Sequence, residues 1–288
     1  PKTVKGIVKR GVTELVTPGV AYSDNIVQQK SNNYLATLHF EKNSLGISLL
    51  DISTGEFLVA QGSSDYINKA RRNDFTELFG NSFYTYPIDD WSFTLDFATE
   101  NLLRHFEVKS LKGFGIDRLN LGIVAAGVAL HYLNETEHRK LQHISNISRI
   151  EEDRYMWLDK FTVRNLELIG SANENAHTLI DVLDQTSCAM GARMLRKWIV
   201  MPLKNEKPIQ ERLNIVQFFY DDFETKEKLK AEIRHIGDLE RLISKIGLQK
   251  VNPREVVQLK RALTAIAEIK NICENINQDT IKRLAEQI

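Results

Sequence analysis

Cysteine is scarce in this chain. Cys188 and Cys273 are the only two among 288 residues and form no CxxC pair, which argues against a zinc cluster or disulfide framework and for a reducing cytoplasm. An excess of charge of either sign is missing too, because 38 Lys+Arg face 38 Asp+Glu. Proteins that grip nucleic acid unaided draw most non-specific affinity from Lys and Arg at phosphates, so this balance weighs against that class while leaving room for local basic patches. Long hydrophobic runs are also lacking. The most apolar stretch, 122–130, ends at His131 and is roughly half the ~20 residues that span a bilayer. The first residues, Pro1-Lys2-Thr3, include neither an initiator Met nor a signal-peptide core, so the chain reads as an internal segment of a longer protein.

What remains is ordinary globular composition, 42% hydrophobic and 26% charged, without repeats or low-complexity tracts. At roughly 100–200 residues per domain the length suggests two domains. Alternating residues predict strands at 34–40, 45–52 and 56–60, with Ser53-Thr54-Gly55 as the last turn. Helices over 65–79, 93–106 and 117–132 and a short strand over 83–86 complete an α/β first half. The polar run 134–140 makes a boundary, after which the texture is helical. Ile209, Leu213 and Val216 follow Pro208 at helical spacing. Leu229, Ile233, Ile236, Leu239, Ile243 and Ile246 keep that spacing for about five turns. Asn252-Pro253-Arg254-Glu255 marks a helix start with an Asn cap, Pro at the first position and Glu at the third. Long helices with one apolar stripe and dense Lys/Glu elsewhere suit a lever or bundle.

Motifs that would carry chemistry fail one by one. The outline GxxxxGK[ST] begins at Gly6 and Gly11, but Val12 stands where the phosphate-binding Lys is required. Gly113 and Gly115 open a GxGxxG that Arg118 leaves incomplete. His131, His138 and His143 include no i, i+4 pair of the kind a helical zinc motif uses. Asp51 closes an apolar strand at a hairpin, where RNase H-type nucleases place a metal ligand, with Asp117 and Glu100 as available partners. The favoured alternative is an Asx-turn in which its carboxylate accepts local backbone N–H groups.

A stronger signal is an ordered series: Leu158-Asp159, Thr162-Val163-Arg164-Asn165-Leu166-Glu167-Leu168, Thr178-Leu179-Ile180-Asp181-Val182-Leu183-Asp184-Gln185-Thr186, and Met190-Gly191-Ala192-Arg193-Met194-Leu195-Arg196-Lys197-Trp198, continuing through Pro202-Leu203, Ile209, Arg212-Leu213 and Val216. The series closely resembles the core domain of the MutS family of DNA mismatch-repair proteins. The stretch from Leu45 through Asp51 to Phe57 resembles the family's connector domain, and Val16-Thr17-Pro18-Gly19 the exit of its mismatch-binding domain. Ile236-Gly237-Asp238-Leu239-Glu240-Arg241 and Asn252-Pro253-Arg254-Glu255 resemble the helices leading toward its DNA clamp.

The resemblance implies an exit segment over 1–19, an RNase H-like α/β connector over 20–137 and the first part of an all-α core or lever over 138–288. It implies mismatch repair, with this stretch relaying conformational state between DNA-binding and ATPase ends, a MutL-like partner at the connector, and a dimeric cytoplasmic parent that binds DNA, ATP and Mg. The stretch itself would hold no catalytic, cofactor or metal site; the family uses the RNase H-like fold without nuclease chemistry. Rival readings are a metal-dependent nuclease using Asp51 and a MutS paralogue scaffold outside mismatch repair. Arg164, Glu167, Arg193, Trp198, Arg212 and Arg241 are the structural or transmission candidates. On physical grounds Arg193, Arg196 and Lys197 would offset carbonyls at a helix C-terminus. Trp198 would join Met194 and Leu195 in a buried stripe, and Arg164 and Glu167 would pair at i, i+3. One misfit remains. After Tyr66-Ile67-Asn68-Lys69 the family enters an apolar strand, whereas here the text passes to Ala70-Arg71-Arg72-Asn73, which predicts residues missing between Lys69 and Asn73.

Overall fold

A computed structural model describes residues 19–20, 28–63, 85–136, 138, 140–156, 158–171, 173 and 176–288. The described residues divide into two compact units, 19–20 with 33–149, and 28–32 with 150–288. The phosphate-loop outline at 6–13, the helix expected over 65–79 and the junction between Lys69 and Asn73 lie outside the described residues.

In the first unit β1 (Leu35–Glu41), β2 (Ser44–Asp51) and β3 (Glu56–Ser63) form the expected antiparallel meander. A two-residue strand, β4 (Ser148–Arg149), adds to β3 in parallel and makes a mixed sheet in the order β1-β2-β3-β4. Among the described residues two α-helices follow the meander, α1 (Leu95–His105) and α2 (Asn120–Glu135). Helix α2 is buried on almost every side from Leu121 to Leu130, as its apolar, Ala/Gly-rich sequence requires. Two glycines allow this. A Cβ on Gly46 would overlap the backbone of Leu121, and one on Gly127 would overlap Ala98 of α1. The polar groups that such close packing buries are paired: Gln61 Oε1 accepts the Leu121 N–H at 2.8 Å, and Ser48 Oγ donates to the Ala125 carbonyl at 3.1 Å. Leu50, Phe57, Val59, Leu102, Val128, Leu133, Ile144 and Ile147 close a single core. Each large side chain buried there contributes roughly 1.5–3 kcal/mol.

Two expectations change here. Thr85 and Tyr86 are not in a strand, while Phe83 and Tyr84 lie outside the described residues. The boundary falls after Arg149 rather than at 137, because Leu141, Ile144 and Ile147 are buried in the sheet unit's core and β4 pairs with β3. Helix α2 ends at Glu135 with Thr136 as its cap, inside the polar run around 134–140.

The second unit is mostly helical among its described residues: α3 (Lys160–Asn165), α4 (Leu179–Leu183), α5 (Ala189–Val200), α6 (Glu206–Asp221), α7 (Phe223–Ile236), α8 (Leu239–Gly247), α9 (Pro253–Glu274) and α10 (Asp279–Ala285). Side-chain caps start most of them. Asp159, Asp222 and Asp238 accept N–H groups of their first turns. Asn252 accepts from Arg254 and Glu255 while Glu255 accepts from Asn252 at 2.8 Å, the reciprocal box that the sequence predicts. The five-turn stripe after Leu229 is two helices rather than one. Gly237 adopts φ +68°, a conformation open to glycine, and Asp238 restarts the helix. The core is smaller than the sheet unit's: Leu229, Ile269, Cys273, Ile276, Ile281 and Ala285, flanked by Phe218, Phe219 and Ile233. Helix α6 buries no residue fully, and its stripe Ile209, Leu213 and Val216 is 36%, 53% and 65% exposed.

Candidate functional site

Asp51 is fully buried, and its carboxylate is engaged by its own loop. Oδ1 accepts the Ser53 N–H at 2.9 Å and the Ser53 hydroxyl at 2.7 Å, while Oδ2 accepts the Asn33 N–H at 3.1 Å. This is the Asx-turn reading, extended to the residues that lead into β1. Asp117 is exposed, and Glu100 accepts from Arg104 at 2.7 Å on the surface of α1. Among the described residues no group of three His, Cys, Asp or Glu could hold a metal ion.

The most elaborate polar arrangement lies in the helical unit, around two buried arginines. Arg193, on α5, has a side chain only 4% exposed. Its Nη1 donates to Asp238 Oδ2 at 2.8 Å and to the Gln29 carbonyl at 2.9 Å; its Nη2 donates to Asp238 Oδ1 at 2.8 Å and to Glu240 Oε2 at 2.5 Å. Arg241, on α8 and 6% exposed at its side chain, donates from Nη2 to the carbonyls of Gln28 at 3.0 Å and Ser31 at 2.9 Å. Two cations thus face two carboxylates across a main-chain strap, 28–31. The fork geometry of guanidinium suits both tasks, chelating a carboxylate and collecting carbonyls. Burial works against the Arg193 charge, but the hydrogen bonds and charges of Asp238 and Glu240 outweigh it and hold the guanidinium above its ordinary value. The strap contributes a third cation of its own: Lys30 Nζ donates to Asp184 Oδ2 at 2.7 Å. That bond, with one from the Thr186 hydroxyl, holds the Asp184 carboxyl at about 2.

The six candidate residues therefore separate. Arg193 and Arg241 come together through Asp238 and the strap, and Arg193 does not serve a helix C-terminus as expected. Trp198 does not join a buried stripe; it is 42% exposed, and Met194 is 56% exposed. The Arg212 guanidinium lies 3.6 Å from the center of the Trp198 ring, so these two candidates form a cation–π pair at the surface. Arg164 and Glu167 do not pair. Helix α3 ends at Asn165, Glu167 has φ +48°, and its carboxylate accepts the Ser171 hydroxyl. Sequence reasoning missed Asp238 and Glu240 as partners of Arg193, and Lys30 with Asp184. The one local hint was Gly237-Asp238, a turn residue followed by a capping acid.

Two histidines hold the end of the sheet unit. His105 Nε2 donates to the Ile144 carbonyl and His143 Nε2 to the Ile52 carbonyl, both at 2.8 Å. Burial lowers both imidazoles below their ordinary value against the effect of these bonds, and His105 lowers His143 further. His131 instead contacts Trp91 and Phe97 edge-on at the surface. In the helical unit, a groove of about 480 Å³ is lined by Glu232, His235, Lys260 and Arg261 of α7 and α9, charges of both signs. No described helix is long and apolar enough to cross a membrane.

A mixed sheet with helices followed by a capped helical array defines a class of α/β-plus-helical protein. Comparison with known proteins gives this class a family. The family model MutS domain II matches residues 80–145, and MutS domain III matches residues 161–288. Proteins called DNA mismatch repair protein MutS are 51% identical in Phocaeicola vulgatus, 52% in Parabacteroides distasonis and 46% in Flavobacterium psychrophilum, each along 100% of this chain. The chain belongs to the MutS family. It spans 35% of the length of these relatives, and the alignments run over 302 residues against the chain's 288.

Proposed function

We propose that this chain serves DNA mismatch repair as the connector and first core segment of a MutS protein, carrying conformational state between parts that bind mismatched DNA and parts that use ATP. The observation that carries the reading is the identity of about half the residues along the whole chain to proteins named for mismatch repair. A sheet unit followed by a capped helical array suits a relay. Packed elements with discrete arrangements transmit a coupling free energy of about 1–3 kcal/mol. The exposed apolar residues of α5 and α6, Met194, Leu213 and Val216 among them, suit a segment that packs against further protein. In this reading a MutL-like partner docks on the connector, the parent is a dimer in the cytoplasm, and ATP with Mg is bound by the parent outside this segment. The full activity is an ATPase's; the segment's part is mechanical. The satisfied carboxylate of Asp51 speaks against the nuclease alternative.

The test is a segment exchange. The chain replaces its counterpart in the Parabacteroides distasonis protein, and mutation rate is measured in a strain lacking its own MutS. Repair restored to within a few-fold of the natural protein is expected. A stably expressed exchange protein that leaves the full mutator rate would overturn the proposal.

A further inference from the structure

The strap 28–31 has no regular structure of its own, yet a charged partner reaches every one of its residues. Arg241 holds the carbonyls of Gln28 and Ser31, Arg193 holds that of Gln29, and Asp184 holds the side chain of Lys30. The partners come from α5, α8 and the turn after α4, between 154 and 213 residues away in sequence. The two arginines need the strap as much as it needs them. Arg193 Nε is already buried with no partner among the described residues, and removing the Gln28, Gln29 and Ser31 carbonyls would strip acceptors from guanidiniums exposed over only about a twentieth of their surface. A buried N–H without an acceptor carries its full desolvation penalty, larger for a charged group. Strap docking and arginine burial therefore form and break together. A partly docked strap would take the Gln29 acceptor from the buried Arg193 guanidinium, so it is disfavoured relative to a docked or a released strap.

The position of the strap gives this a consequence. Asn33 and Tyr34 come next, with the Asn33 N–H on Asp51 and the Tyr34 hydroxyl on Glu56, and β1 begins at Leu35. We propose that residues 28–31 are a reversible main-chain latch, closed by Arg193, Arg241 and the carboxylates that orient them, which decides whether the chain entering β1 is tethered to the helical unit or free. The latch stands on the geometry of this chain and not on the mismatch-repair reading, so a failed segment exchange would leave it intact.

Trypsin provides a direct probe because the bond after Lys30 lies inside the latch. Native proteolysis of the 288-residue chain is followed by mass spectrometry, with the cut after Lys42, in the exposed β1–β2 turn, as internal reference. Cleavage under native conditions follows the open population when opening is fast. In the natural chain the Lys30 cut should be much slower than the Lys42 cut. Arg241→Lys keeps the charge but loses the fork, and should raise the Lys30 to Lys42 ratio by roughly tenfold. Glu240→Gln removes a half-exposed partner of Arg193 and should raise it about threefold; it alone decides if Arg241→Lys does not fold. Ile281→Ala loosens the helical core without touching the strap and should leave the ratio unchanged. Equal cutting at both sites in the natural chain, an unchanged ratio in the folded variants, or an equal rise in Ile281→Ala would each overturn the latch.

Discussion

The two units solve the same problem of burial with opposite materials. The sheet unit packs apolar side chains around a helix buried almost all round, and two glycines bring backbones together where side chains would collide. The helical unit adds buried arginines to a smaller apolar core. In α5 the fully buried residues are Ala192 and Arg193, and in α8 they are Arg241, Leu242 and Ser244, while Met194, Trp198 and Ile243 face outward. One unit is held by non-directional burial and tolerates little change in volume. The other joins an apolar core to directional bonds among buried charges.

The contrast can be broken most forcefully in the sheet core. Phe57→Ala should destabilise the sheet unit by about 3–5 kcal/mol, from the lost ring and the cavity it leaves. Denaturant unfolding followed by circular dichroism checks this, and a loss under about 1 kcal/mol would mean that the core is loosely packed.

A middling effect is expected at Asp51→Asn. The amide presents its NH₂ to at least one of the donors now satisfied by Oδ1 and Oδ2, costing about 1–3 kcal/mol. No metal-dependent nuclease activity should exist for the substitution to remove. Metal-dependent cleavage by the natural chain, abolished in the variant, would restore the catalytic reading of Asp51.

Trp198→Ala tests the other side of the comparison. A ring in a core would cost about 3–5 kcal/mol. The half-exposed ring under Arg212 should cost only about 1 kcal/mol, and Arg212→Ala should cost a similar amount that is largely not additive with it. A double-mutant cycle in urea supplies the numbers, and full additivity would dissolve the pair.

The smallest effect is the dependence on pH, and it differs between units. His105 and His143 titrate below their unfolded value in the native sheet unit, so the unfolded chain binds their protons first. Their contribution is complete above about pH 6.5 and is lost as pH falls below it. Protonating His143 also adds a buried Nδ1–H where no partner is present among the described residues. In the helical unit Asp184 is depressed to about 2, so its contribution persists at pH 5 and is lost only between about 4 and 2. Unfolding between pH 7 and 5 should therefore weaken the sheet unit first. Helical-unit amides losing protection first in hydrogen exchange would reverse the assignment.

What the sequence determined by itself is everything that depends on neighbours along the chain. Asn252-Pro253-Arg254-Glu255 caps a helix because its donors and acceptors are three residues apart, and the meander through Ser53-Thr54-Gly55 follows from alternation around a turn whose carboxylate bonds two residues ahead. The ordered motifs from Leu158 to Val216 were likewise enough to point to the MutS family. Tertiary structure decided which face of each helix is covered. Periodicity tells which residues share a face of α5 or α8 but not what lies against it, so Trp198 was expected inside and Arg193 at a helix end. Arg193 is buried because Asp238 and Glu240, 45 and 47 residues away, and the Gln29 carbonyl, 164 residues away, supply its counter-charge and acceptors. Without those distant partners a buried guanidinium would be prohibitively costly, and no local pattern in the sequence records that they meet.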